Sequence, residues 1–371
     1  MKRSILLFLF IISSMALIVS TSRHLMKSIT QYRFYTKSIL RSDKYYYGDL
    51  FGMCYLSGFK IEPKLNSFDL WRKKEEKIRF INLWVAGDSY LGYDFVKNDS
   101  IFYGVKRYHY LKLNSLDIDT VSFVKDEKNI LLIETVERYL RIFRDTNYVL
   151  DKLLISPKSN QSEKKTIKDV QNESTLGFVA IKIRHVIGGF FRLIKQTLYN
   201  PLINQNLEFN LFDYRIFTPI KEAKANFNYK FFKRISGEVA VSPDKKYLLD
   251  KTTVDASSGN SSFIPICEEE INSIIYSLNR VYEYYRLKGF DKVYFAIIPN
   301  PVTILYPQIG RYNELIPRIQ NHHNLKMPII NIYDIFSQTK KQIYLNSDTH
   351  WNMDGFDMWL NEFNLKLLNN M

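Results

Sequence analysis

Four short runs of apolar, β-branched and aromatic residues limit what this chain can fold into: Ile78–Ala86, Ile130–Thr135, Val293–Ile298 and Ile329–Ile335. Each has the length of a strand and little alternation of apolar with polar residues, so each is expected to be covered on both faces. Strands of that kind belong to a parallel sheet with helices on either side. The expected fold is therefore α/β, a three-layer α/β/α domain around a parallel sheet. Just before the third run, Glu268–Lys288 carries Ile271, Ile274, Ile275, Leu278, Val281 and Tyr285 at helical spacing. Glu268, Glu269 and Glu270 suit the positive N-terminal end of that helix, Arg286 and Lys288 suit its C-terminal end, and Gly289 can stop it. A last helix is expected from about Asp354, with Phe356, Trp359, Leu360 and Phe363 turned inward.

The N-terminus has a different pattern. Lys2 and Arg3 precede an apolar stretch from Ile5 to Val19, broken only by Ser13 and Ser14 and followed by Ser20, Thr21 and Ser22. A basic head, an apolar run and small residues form the layout of a secretory leader. The run is slightly shorter than the ~20 residues that span a bilayer. Signal peptide and uncleaved anchor both fit, and the leucine and isoleucine density favours the anchor. The body of the protein is then expected outside the cytoplasm, on the periplasmic face of the inner membrane or secreted to the periplasm.

Between the second and third strands the composition changes. Ser156–Ser174 is polar and charged and reads as an exposed linker. Beyond it lie aromatic and basic stretches, Phe178–Leu198 and Phe209–Arg234. The expected organisation is a leader over 1–22, an extension over 23–76, a first core part over 77–150, an insertion or lid over 151–263 and a second core part over 264–371. Two cysteines among 371 residues, Cys54 and Cys267, exclude a disulfide-rich scaffold and a four-thiolate zinc site. Whether they pair is open at this point.

Chemistry concentrates at two places. Gly87-Asp88-Ser89 follows directly on the first strand, and in open α/β sheets ligands bind beyond the carboxyl ends of the strands. Ser89 after a turn-forming glycine is placed for nucleophilic attack, although Asp88 and Ser89 also suit a helix cap. Near the C-terminus, Asp348-Thr349-His350-Trp351 offers His350 as the base for Ser89 and Asp348 as the group that orients His350. His24, His109, His185, His322 and His323 have no comparable setting, and the His322-His323 pair lacks the spacing of a structural zinc site.

Together, the strand followed by Gly-Asp-Ser and the C-terminal Asp-Thr-His-Trp resemble the SGNH hydrolase superfamily, and more narrowly the membrane-associated polysaccharide O-acetyltransferases of the alginate-acetylation type. Glu134–Leu140 (ETVERYL), Ile297–Tyr306 (IIPNPVTILY) and, most loosely, Ser242–Leu249 (SPDKKYLL) are similar to further stretches of that family. The resemblance implies an SGNH-like fold and acyl transfer through a serine ester, with Ser89, His350 and Asp348 as the catalytic group. It implies a polysaccharide acceptor, a multi-spanning membrane acyltransferase as donor partner, and no metal or cofactor.

This chain departs from the pattern in two respects. A typical member has Gly-x-Asn-Asp after a middle strand, where this one has Pro299-Asn300-Pro301. Asn300 is then either an oxyanion donor beside the Ser89 backbone N–H or a turn residue between prolines. In addition, some alginate-type members place the Asp-His pair before the serine. Glu134 and Arg138 either line the crevice or lock strand to helix, and the locking role is favoured.

The excess of 52 basic over 38 acidic residues, a formal charge of +14, raises the question of nucleic acid. The leader and the absence of any nucleic-acid module motif argue against that partner. Lys182, Arg184, Arg192 and Lys195, interleaved with apolar residues in Phe178–Leu198, fit a membrane surface, an acidic glycan or a membrane partner, but a lid helix with a solvated basic face is the favoured reading. Arg72–Lys77 is mixed in sign and reads as a solvated approach to the first strand. Besides transferase, two functions stay open: a carbohydrate acetyl-esterase of the same fold, and a non-catalytic, membrane-tethered glycan-binding or assembly protein.

Overall fold

The computed structural model describes residues 2–22, 25–26, 28–30, 32, 41–61, 80–92, 101–113, 119–124, 126–155 and 203–368. The linker Ser156–Ser174, the basic segment Phe178–Leu198 and the run Arg72–Lys77 lie outside those residues. The chain divides into two compact units, one of residues 1–46 and 158–227, the other of residues 47–157 and 228–371.

In the first unit, helix α1 (Lys2–Thr21) holds the apolar run. Among the described residues it is the one helix long and apolar enough to cross a membrane. Most of its large apolar side chains, from Ile5 to Ile18, are exposed. A helix over Ile203–Phe212 meets its C-terminal end, where Asn206 Nδ2 donates to the Ser20 carbonyl (2.7 Å) and Asn210 Nδ2 to Ser20 Oγ (2.8 Å). Asp213 is buried nearby, accepting from Ser42 Oγ (2.5 Å) and pairing with Lys221 (3.0 Å).

The second unit begins with the short helix α2 (Asp49–Cys54) and is built on five strands: β1 (Ile81–Gly87), β2 (Val105–Lys112), β3 (Lys128–Val136), β4 (Lys292–Ile298) and β5 (Ile329–Ile330). They lie in the order β2-β1-β3-β4-β5, and every neighbouring pair is parallel. In this order the chain reverses its direction of winding between β1 and β3. Such a switch point opens a crevice at the carboxyl ends of the strands.

Strand alternation sorts the core into two layers. Helix α3 spans Glu268–Lys288 and helix α4 spans Met353–Leu368. Leu83, Val85, Leu132, Ala296 and Ile298 point to one face, where α4 buries Phe356, Trp359, Leu360 and Phe363. Trp84, Ala86, Leu131, Ile133, Phe295 and Ile297 point to the other, against Ile271, Ile274, Ile275, Leu278, Val281 and Tyr285 of α3. Burying each such side chain stabilises the fold by about 1.5–3 kcal/mol, so packing more than intrinsic propensity holds α3. That helix keeps its expected bounds. Gly289, at φ 121°, takes the left-handed turn at its end, and the Phe290 N–H returns to the Tyr285 carbonyl (3.1 Å).

Two strands differ from expectation. β2 is absent from the sequence reading because Val-Lys-Arg-Tyr-His-Tyr-Leu-Lys has no apolar run. As an edge strand it needs none: Lys106 and Arg107 stand outward and pair with Glu127 (3.0 and 3.2 Å). The fourth run, expected to be strand through Ile335, pairs only at Ile329–Ile330. Asn331 Oδ1 then accepts the Asp334 N–H (3.3 Å), and a helix begins over Tyr333–Gln338. Residues 228–263 belong to the sheet unit, and Tyr247 and Leu249 pack into the same layer as α4. Cys54 is buried, Cys267 is exposed, and both are free thiols.

Candidate active site

The site is built outward from the end of β1. Gly87 fits a crowded position there, since a Cβ would stand 2.6 Å from Glu134 Oε2 and 3.3 Å from Glu134 Cβ. Asp88 is buried and fully engaged in scaffolding. Its Oδ1 accepts the Tyr90 N–H (2.9 Å), its Oδ2 accepts the Val136 N–H (3.0 Å), and its carbonyl accepts from the Tyr110 hydroxyl. These bonds tie the β1 turn to β2 and β3 and start a single tight turn, Ser89–Leu91, with Ser89 at its head.

Two of the sequence-predicted residues meet Ser89 directly or through each other. His350 Nε2 lies 2.8 Å from Ser89 Oγ, and His350 Nδ1 lies 2.5 Å from Asp348 Oδ1. Asp348 Oδ1 also accepts the His350 backbone N–H (2.9 Å), so the loop bends enough for a residue two positions away to hold the ring. Tyr90 supports the far side, its ring 4.6 Å from the imidazole and its hydroxyl donating to the Thr349 carbonyl. Trp351 is fully buried against Tyr90, Phe356 and Trp359, which anchors the loop to α4.

The electrostatics suit a Ser-His-Asp relay. Burial alone would make Asp348 harder to ionise, but the charge of His350 and hydrogen bonds from His350 and Asp49 outweigh it and hold Asp348 down at about 2. Burial likewise disfavours a charged imidazole. Asp348, by charge and hydrogen bond, and Asp49, by charge, still raise the His350 pKa above its ordinary 6.5, against an opposing contribution from Arg138. Asp348 is thus an anion throughout the neutral range, and its charge stabilises the imidazolium relative to that of a free histidine.

Sequence reading missed Asp49. Its backbone N–H donates to Asp348 Oδ2 (2.9 Å), while its carboxylate accepts the Thr349 N–H (2.9 Å) and hydroxyl (2.6 Å). Its Oδ2 lies 4.0 Å from His350 Nδ1. The only local signal was Gly48-Asp49 ahead of a short helix, which also reads as an ordinary helix start. Ligand atoms of Asp49, Asp348 and His350 lie within 4.8 Å of one another. Hydrogen bonds within the cluster already engage all three, and it is not read as a metal centre.

The remaining predicted residues sit as follows. Glu134 is fully buried, and its Oε2 accepts the Asp88 N–H (2.9 Å). Burial, and then the neighbouring Asp88 charge, push its pKa well above the ordinary carboxyl range, and its bond to the Asp88 N–H locks β3 to the β1 turn. Arg138 lies close enough for its charge to act on Glu134, but it is oriented elsewhere. Its buried guanidinium faces Asp250 (Nε to Oδ2 3.8 Å) and the Tyr139 ring (5.1 Å), and its Nε and Nη1 have no hydrogen-bond partner. Asn300 is fully buried, with its N–H on Glu137 Oε2 (2.9 Å) and its Nδ2 donating to Ser262 Oγ (3.1 Å). Thr303 completes that cluster by donating to the same Glu137 oxygen (2.6 Å). Among the described residues, the hydrogen bonds of Asn300 go to Glu137 and Ser262, and none goes to Ser89.

Of the other histidines, His109 stacks on Trp84 (4.0 Å), and His322 stacks on His323 (4.8 Å). His24 and His185 lie outside the described residues. Comparison of the chain with protein-family models, with curated proteins and with solved structures found no match.

Proposed function

We propose that this chain is an extracytoplasmic serine-dependent O-acyltransferase that modifies hydroxyls of a polysaccharide. The observation that carries the reading is the hydrogen-bonded series from Ser89 through His350 to Asp348, at 2.8 and 2.5 Å, beyond the end of β1. Support for an SGNH-like fold comes from the strand order β2-β1-β3-β4-β5 with the serine at the switch point, and from the Asp-Thr-His-Trp stretch near the C-terminus. The leader helix supports a membrane-anchored location facing away from the cytoplasm.

In this reading Ser89 Oγ attacks the acyl carbonyl while its proton passes to His350 Nε2. The Ser89 backbone N–H stabilises the oxyanion. Collapse of the tetrahedral species expels the leaving group, which takes the proton from His350 and leaves an acyl ester on Ser89. A glycan hydroxyl then gives its proton to His350, attacks the ester, and departs acylated as Ser89 recovers its proton. Asp348 stabilises the imidazolium at both steps. Arg138, a buried cation with two nitrogens lacking hydrogen bonds, is the substrate-side charge in this scheme. A multi-spanning acyltransferase would deliver the acyl group. If water replaces the glycan, the same site is an esterase.

The test is covalent labelling. Full-length protein in detergent should be labelled at Ser89 by a fluorophosphonate and should turn over a chromogenic acetyl ester, and Ser89→Ala should lose both. Equal signals from the two proteins would overturn the enzymatic reading and leave a glycan-binding role. Mass spectrometry of added oligosaccharides then separates transfer from hydrolysis.

A further inference from the structure

We propose that Asp49 is a positioning residue of this site: it fastens the Asp348–His350 loop and sets a second negative charge on the Nδ1 side of the imidazole. The inference rests on the acyl-transfer reading above and adds a residue to it. The fastening is reciprocal. Asp49 donates its backbone N–H to one oxygen of Asp348, and its carboxylate takes both donors of Thr349, the residue between Asp348 and His350. The neighbours extend the clamp, since the Phe51 N–H donates to the Ser347 carbonyl (3.0 Å) and Ser347 Oγ to the Tyr47 carbonyl. Gly48 permits the close approach. It sits at φ 111°, and a Cβ there would stand 2.2 Å from the Ser347 carbonyl oxygen. Segments about 300 positions apart are thereby locked residue against residue.

Holding the loop does not by itself require an acid. An asparagine at 49 could accept the Thr349 N–H and meet its hydroxyl equally well, and it would avoid placing one carboxylate beside another. Burial and the charge of Asp348 do penalise the ionised form, raising the Asp49 pKa to about 6. The acid is useful when His350 becomes an imidazolium, 4.0 Å away. Among the described residues, the charged groups acting on His350 include Asp348, Asp49 and Arg138, with Ser89 Oγ and the ring of Tyr90 also against it. Arg138 opposes the positive ring, and Asp49 offsets it.

The experiment compares wild type, Asp49→Asn and Asp49→Ala as full chains in detergent, by NMR titration of the His350 imidazole and by the pH profile of acetyl-ester kcat/KM. Asp49→Asn should lower the His350 pKa by about one unit and move the acid limb of the profile to lower pH by the same amount. It should reduce kcat more than KM. Asp49→Ala, which also frees Thr349, should reduce kcat further. A purely structural role would lower kcat or stability and leave the titration and the limb in place; that result overturns the proposal. Should Asp49→Asn fail to fold, the wild-type titration decides: an additional inflection near pH 6 in the His350 curve supports the coupling, and its absence overturns it. If wild-type protein neither labels at Ser89 nor hydrolyses ester, the acyl-transfer reading fails, and the NMR titration still reports on Asp49.

Discussion

Ser89 Oγ and His350 Nε2 lie 2.8 Å apart although 261 positions separate them in the chain. The serine comes from the first strand's end and the histidine from a loop anchored by Trp351 to the last helix, so only the completed sheet and its covering helix bring them together. In the proposed reaction Asp348 keeps the His350 tautomer that can accept the serine proton. Asp348→Asn should therefore lower kcat roughly a thousandfold to ten-thousandfold with little change in KM. Steady-state kinetics on an acetyl ester measures it, and a loss of less than tenfold would remove Asp348 from the reaction.

The pH dependence follows from the direction of the His350 shift. His350 accepts a proton only when neutral, and its pKa stands above 6.5. The imidazolium pairing stabilises the fold fully below 6.5, and that contribution disappears as pH rises through the folded value. Activity runs the other way and should climb through a midpoint above pH 6.5. A kcat/KM profile with its acid limb at or below 6.5 would contradict this.

Glu134 yields a prediction about stability. Its folded pKa is raised well above the ordinary 4.5, so its contribution is complete below pH 4.5 and is lost as pH rises through the folded value. Glu134→Gln keeps an oxygen for the Asp88 N–H and cannot ionise. Urea unfolding at pH 5 and pH 8 should find the variant gaining on wild type as pH rises.

Gly87→Ala should destabilise by about 1–3 kcal/mol and reduce activity together, because the added methyl meets Glu134 Oε2 at 2.6 Å and displaces either Glu134, which holds the Asp88 N–H, or the turn carrying Ser89. Thermal unfolding with parallel ester assays checks both effects. Trp359→Ala serves as the packing comparison. This side chain is fully buried and stacks on Phe356 and Phe363 at 6.0 and 5.4 Å, and its removal should cost about 3–5 kcal/mol, whatever happens at the serine.

The α1 helix predicts behaviour in membranes. Full-length protein should stay in the membrane pellet after an alkaline carbonate wash, and a chain lacking residues 2–22 should be released. Release of both would remove the anchor.

The parts of this protein legible in its sequence are those whose signals are local. β3, β4 and helix α3 each carry their own pattern of apolar residues, because burial on both faces, or on one stripe, demands it along the element, while α1 carries an unbroken apolar run whose side chains are exposed. Ser89 stood at a predicted strand end and Asp348 and His350 in the Asp-Thr-His-Trp stretch, and the fold brings these three side chains together. β2 was not legible, because an edge strand borrows its stability from β1 and can be written in lysine, arginine and tyrosine. Asp49 left only the mark of an ordinary helix start, because its meaning lies in Asp348, Thr349 and His350, about 300 positions away. Arg138 and Asn300 were identified as polar residues near the crevice, but their partners, Asp250 in one case and Glu137 and Ser262 in the other, were decided by packing. Hydrophobic patterning acts along the chain and is written there, whereas hydrogen bonds and charge pairs between distant segments exist only once the fold has joined them.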